Sequence, residues 1–363
     1  MRTPRLVSAL LVLLLAGCTS ADPPRWHPPE ESPTGSPSPT APPVIELAFA
    51  GDVHFVDFDG GVPNRTGALL ADPDTAFGPV AELFTAADVA MVNLETAVTT
   101  GGVPEPKAFT FRAPPETYQA IRAAGIDLVS LANNHALDYG REGLADTLAH
   151  AEAAGVAVVG AGEDAAAAYA PWVAEVHGVR IAFLGFSQVY ELWESWAAGD
   201  DRSGIAYAMD TERSLAAVRA AREAADVVVV YLHWGQEGNE CPVPEMRDYA
   251  EALAEAGADL VVGTHAHLLL GGGWLGSTYV QYGLGNFLWW RDDRFSNDTG
   301  VLWVTLQGAQ IESVEFRPAV ISRETGQPIP VDGEEADRIL QKYEELRGCT
   351  GLTEGPDPVP VAR

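Results

Sequence analysis

From Val44 onward, short apolar or β-branched runs alternate with alanine-rich stretches whose apolar residues recur at helical spacing, the pattern of an α/β domain. The runs at 45–50 (IELAFA), 89–94 (VAMVNL), 126–131 (IDLVSL), 180–186 (RIAFLGF), 226–232 (DVVVVYL) and 258–263 (ADLVVG) predict strands. Between the third and fourth of these, REGLADTLAHAEAAG at 141–155 predicts a helix that Gly155 stops. The later runs at 278–289, 300–307 and 313–321 have no helical stretch between them, which predicts an antiparallel ending. A length of 363 residues suits one large domain with appendages.

The opening, MRTPRLVSALLVLLLAGCTS, has a basic start at Arg2 and Arg5 followed by an apolar core at 6–16 that is too short to span a bilayer as a mature helix. It reads as a secretory signal over 1–17. Its end, Leu15-Ala16-Gly17-Cys18, resembles the lipobox of bacterial lipoproteins, which implies lipidation of Cys18 and a place on the extracytoplasmic face of the cell membrane. Residues 18–43 are crowded with Pro, Ser and Thr, cannot bury a core, and read as a tether. The domain is expected over 44–348, with a tail at 349–363. Cys241 and Cys349 either pair outside the cytoplasm or stand as separate buried thiols.

Polar residues gather where strands become loops. The first strand runs into GDVHF, with Asp52 and His54; the next ends in NLET, with Asn93 and Glu95; the third in LANNHALDYG, with Asn133, Asn134, His135 and Asp138. HWGQE supplies His233 and Glu237, and THAH supplies His265 and His267. The last pair on its own fits either one face of a strand or a metal site. Five such blocks together favour the metal site, because ligands of open α/β sheets collect outside the carboxyl ends of the strands.

Carboxylates, an amide oxygen and imidazoles suit Mn²⁺, Fe²⁺ or Zn²⁺ better than a thiolate-bound structural zinc. Seven such ligands exceed one tetrahedral site and suit two divalent ions about 3.5–4 Å apart, bridged by a carboxylate, the arrangement that activates water and clamps a phosphoryl group. A net charge of −29 argues against nucleic acid as a partner, because such a surface needs clustered Lys and Arg. Trp234, Trp289 and Trp290 near the site either stack a base or sugar or belong to the core.

The order Asp-x-His, acid, Asn-His, His, His-x-His is similar to the calcineurin-like metallophosphoesterases, which implies a single-domain, four-layer α/β/β/α sandwich. The wording GDVHF, NLET, ANNHALDYG, HWGQE, GTHAH and YGLGNF resembles the poly-gamma-glutamate capsule synthesis protein CapA family within that fold, over about residues 45–290. The resemblance implies Asp52, His54 and His267 on a first metal, Asn134, His233 and His265 on a second, and Glu95 where the phosphoesterases carry a bridging Asp. It implies His135 as general acid or phosphate contact, oriented by Asp138. Glu237 and Asn286 would lie beside the site or touch polymer. Many capsule relatives have Met or another apolar residue in place of His54, so this chain retains the fuller ligand set.

The function expected is that of a lipid-anchored, metal-dependent hydrolase in synthesis, attachment or trimming of a surface polymer, acting on a phosphoester or a gamma-glutamyl amide beside a capsule-synthesis membrane complex. One alternative is a polymer-binding or assembly subunit without turnover. Another is a secreted phosphoesterase or nucleotidase for small substrates.

Overall fold

Strand β1 (Val44–Val53) is apolar on both faces, as a strand covered on two sides requires. Ile45, Leu47 and Phe49 enter one apolar cluster, and Ala48, Ala50 and Val53 enter another. In this computed structural model, which describes residues 41–56, 58–59, 62–291 and 297–356, that two-sided burial organises the fold. The expected signal segment, Cys18 and the expected tether as far as residue 40 lie outside the described residues, as do residues 357–363. Pro42–Arg363 forms one unit.

The main elements after β1 are β2 (Val89–Leu94), α1 (Glu116–Ala123), β3 (Leu128–Ser130), α2 (Gly140–Ala154), β4 (Ala157–Val159), β5 (Trp172–Val176) and β6 (Val179–Ser187). Then come α3 (Thr211–Ala224), β7 (Val227–His233), α4 (Pro244–Ala256), β8 (Leu260–Thr264), β9 (Gly272–Leu275), β10 (Thr278–Gln281) and β11 (Asn286–Leu288). The chain closes with β12 (Asp298–Gln307), β13 (Gln310–Ile321), β14 (Pro328–Pro330) and α5 (Gly333–Arg347). Gly155 ends α2 in the left-handed conformation at φ 69°, which a residue without Cβ adopts at low cost.

One sheet has the order β14-β13-β12-β1-β2-β3-β4, with β11 alongside the end of β1. The other has the order β5-β6-β7-β8-β10-β9. Val227, Val229 and Tyr231 point towards the first sheet, whereas Val228, Val230 and Leu232 point towards α3 and α4. On the far side of the first sheet, Tyr118 and Ile121 of α1 and Leu144 and Ala151 of α2 cover Ala48, Ala90 and Val92. The result is helix, sheet, sheet, helix. Each fully buried Val, Leu or Phe in these layers contributes roughly 1.5–3 kcal/mol. Among the described residues no helix is long and apolar enough to cross a membrane.

The antiparallel ending holds for β12, β13 and β14. It does not hold for the run at 278–289, which divides into β10, parallel to β8, and β11, parallel to β1. The cause is local: Gly285 takes φ 66°, so the chain turns there and passes from one sheet to the other. Beyond α5, Cys349 is disulfide-bonded to Cys241, and Thr353 exchanges main-chain hydrogen bonds with Trp274.

Candidate metal centre

Parallel register brings the polar strand ends together. Asp52 lies opposite Asn93 and Asn286 in the first sheet, and His233 lies between Ser187 and Thr264 in the second. The register of β1 shifts between Phe49 and Asp52, and such an irregularity re-aims the side chain that follows. Gly51 is required there, because a Cβ would fall 1.9 Å from the Gly285 carbonyl oxygen. His265 and His267 take φ of 88° and 58°, a conformation costly for non-glycine residues that commonly marks functional sites.

Two groups of ligand atoms form, each within 4.8 Å: Asp52, Glu95 and His267, and Glu95, His233 and His265. They share Glu95. Asn134 Oδ1 lies 2.8 Å from His233 Nε2, and His265 Nδ1 lies 3.1 Å from the same nitrogen. Asn93 Nδ2 donates to Asp52 Oδ1 at 2.8 Å, and Asn133 Nδ2 donates to Asn93 Oδ1 at 3.0 Å, so amides hold the ligands from behind. Asn286 Oδ1 lies 2.7 Å from His267 Nδ1. Glu95 Oε1 is buried without a hydrogen-bond partner, 3.3 Å from His233 Nε2. An orphaned buried carboxylate oxygen facing imidazoles fits a cation, and the donors suit a divalent transition metal.

Burial sets the electrostatics. It drives His54, His135 and His265 well below the usual imidazole range and His233 down to about 4, leaving neutral rings. His267 goes the other way: burial is outweighed by its contact with Asp52, and it rises to about 9. Asp52 falls below the usual carboxylate range, because His267, His233 and Asn93 overcome its burial. Glu95, buried beside Asp52, is pushed up.

His135 Nδ1 lies 2.6 Å from Asp138 Oδ2, which also accepts the Phe111 N–H at 2.5 Å, and its Nε2 faces Glu95 Oε1 at 3.9 Å. Burial raises Asp138 to about 7, against the pull of Lys107. His54 stands outside both ligand groups: its ring lies tilted against Trp289 with centroids 3.6 Å apart, and both of its buried nitrogens lack hydrogen-bond partners. Glu237 is exposed.

The profile of the bacterial capsule synthesis protein family PGA_cap matches residues 46–289. The chain belongs to this family. It is 30% identical over 302 residues to the PGA biosynthesis protein CapA of Bacillus subtilis (strain 168), covering 82% of this chain and 77% of that protein. It is 31% identical over 220 residues to the capsule biosynthesis protein CapA of Bacillus anthracis, covering 60% of this chain and 52% of that one. The NAD nucleotidase of Haemophilus influenzae aligns with a TM-score of 0.46 and 15% identity, over 87% of this chain and 58% of that chain.

In this capsule synthesis family member, sequence reasoning missed Lys107, which contacts Asp138 at 2.9 Å, and Phe111, which stacks on His135 with centroids 3.9 Å apart. A signal for Lys107 was available, since the chain has only two lysines. The tryptophans divide. Trp234 is core, donating to the Tyr282 carbonyl at 2.9 Å; Trp289 walls the site against His54 and His267; and Trp290 lies under Arg65.

Proposed function

We propose that the protein is a lipid-anchored, extracytoplasmic hydrolase that cuts or trims a surface polymer of the poly-gamma-glutamate kind, with two divalent ions of the Mn, Fe or Zn class at the strand ends. The observation that carries this reading is that both ligand groups share Glu95. Asp52, Glu95 and His267 would hold one ion, and Glu95, His233 and His265 the other, with Asn134 at the second. Such a metal pair, when bound, acidifies water and stabilises negative charge on the reacting group.

The protein supplies the rest. Asp138 fixes the His135 ring through Nδ1, which leaves Nε2 turned to the site and neutral. His135 then accepts the proton released by the attacking water and returns it to the leaving nitrogen or oxygen. Phe111 and Trp289, both buried and in edge contact with each other, wall the site beside His135 and His54. The anchor is supported by Leu15-Ala16-Gly17-Cys18, and Cys18→Ala is expected to release the protein from membranes.

The test combines metal analysis and turnover on full-length protein reconstituted with Mn²⁺, Fe²⁺ or Zn²⁺ and desalted. Close to two ions per chain in wild type, fewer in Glu95→Gln, and release of glutamyl fragments from poly-gamma-glutamate by wild type alone are expected. Wild type that retains no metal under any condition overturns the reading. Retained metal without cleavage of any polymer or phosphoester overturns the enzyme and favours the assembly subunit.

A further inference from the structure

Lys107 sits between two unequal carboxylates. Its side chain is 3% exposed, and its Nζ lies 2.9 Å from Asp138 Oδ1 and 3.0 Å from Glu191 Oε2 while donating to the main-chain oxygen of Asn134. Asp138 is fully buried and already engaged by His135 and Phe111, so it is a fixed partner. Glu191 is 42% exposed. It belongs to a surface segment in which Tyr190 is 68% exposed, Trp193 is 38% exposed and Leu192 takes φ 54°. A half-exposed ion pair on a strained segment is the weaker of the two contacts.

The surroundings of Lys107 favour an anion. Its Nζ lies 5.1 Å from the Trp196 ring centroid, and the buried Trp196 Nε1 has no hydrogen-bond partner. The Tyr207 hydroxyl, buried near Trp193 and within the electrostatic reach of Glu191, has none either. The Trp196 indole therefore lies beside a cation whose charge also reaches Glu95, His135, His233 and His265, and the Tyr207 phenol lies on the Glu191 side of that pair. A chain of net charge −29 repels an acidic polymer over most of its surface, so a local cation is needed to bring one to the ligands.

We propose that Lys107 is a specificity-determining residue that binds a carboxylate of the polymer beside the metal centre, and that Glu191 is an internal carboxylate occupying that position until the substrate displaces it. The inference rests on the polymer-processing role argued above and names how the polymer is read.

The test is calorimetric titration of full-length protein in EDTA, so that it depends on neither metal nor turnover. The probes are a gamma-linked glutamate oligomer and the same oligomer with its free carboxylates converted to carboxamides. Glu191→Gln is expected to tighten binding of the carboxylate oligomer about fivefold, the equivalent of about 1 kcal/mol from a partly exposed ion pair, and to leave the amide oligomer unchanged. Lys107→Arg is expected to keep carboxylate binding, and Lys107→Met to lose about tenfold relative to wild type. Because Lys107→Met strands the buried Asp138, Glu191→Gln decides the matter alone if that variant does not fold. Failure of wild type to bind the carboxylate oligomer, no gain in Glu191→Gln, or an equal gain for both oligomers overturns the inference. Loss of the two-ion result with this titration intact would overturn only the hydrolase reading.

Discussion

The main-chain N–H of His265 donates to Asp52 Oδ2 across 3.2 Å, joining the end of β8 in one sheet to the end of β1 in the other. The same oxygen lies 3.5 Å from His267 Nδ1. Asp52 is therefore a tie between the sheets as well as a proposed ligand. Asp52→Asn keeps an acceptor of the same shape but removes the charge that the first ion and the protonated His267 require. The expected outcome is a fall from close to two retained ions to close to one, measured by elemental mass spectrometry. An unchanged stoichiometry would remove Asp52 from the ligand set.

The elevated His267 gives metal binding a pH dependence with a fixed sign. An imidazole binds a metal only after losing its ring proton, and Asp52, overcoming burial, holds that proton on His267 up to about 9. Affinity at the site is expected to rise about tenfold per pH unit from about 7 to about 9 and then level off, with one proton released per chain from this residue. Titrations in buffers of different ionisation enthalpy measure that release. Without metal, His267 contributes stability that is complete below about 6.5 and is lost as pH rises through about 9. His233, taken down to about 4 by burial, acts oppositely, because below about 6.5 the unfolded chain takes up the proton first. A metal affinity that stays flat between about 7 and 9 would contradict the assignment of His267.

The strand ends were legible because short continuous apolar or β-branched runs mark strands covered on both faces, and the polar residues that end each run mark its carboxyl end. Asp52, Glu95, Asn134, His135, His233, His265 and His267 could be collected that way, and they do meet. What could not be read is what depends on distant pairing. Asn93 braces Asp52, and Asn133, in the loop after β3, braces Asn93 in turn, while Lys107 meets Asp138 and Glu191 only after the loops fold over one another. The division of 278–289 between two sheets also escaped the pattern, because both halves are equally apolar and only the backbone at Gly285 separates them.

His54 provides a test in which stability and binding move in opposite directions. Its ring nitrogens are buried without hydrogen-bond partners, a desolvation cost of about 1–3 kcal/mol when nothing binds them. If they serve the first ion when it binds, His54→Phe is expected to raise the melting temperature of protein prepared in EDTA, since the ring keeps its tilted contacts with Trp289 and Phe111, while weakening metal retention. Differential scanning calorimetry with and without Mn²⁺ separates the two effects. A variant that is more stable in both states would make His54 a wall residue only.

The Cys241–Cys349 bond closes a loop across a sequence separation of 108 residues and joins the turn after α5 to the turn between β7 and α4 that carries Glu237. Closing so long a loop mainly restricts the unfolded chain, so replacing both cysteines by serine is expected to lower stability by about 2–5 kcal/mol in urea unfolding. The same turn is held by the Gly238 N–H to the Ala266 carbonyl at 2.9 Å, by Lys342 to Glu240 at 3.0 Å, and by Arg247 to the Cys349 carbonyl at 2.8 Å. Metal stoichiometry is therefore expected to survive in the double variant even as the unfolding midpoint drops. A reductant should reproduce the drop in wild type and leave the double variant unmoved. A loss below about 1 kcal/mol would mean that these polar contacts, rather than the covalent link, fix the turn beside the metal centre.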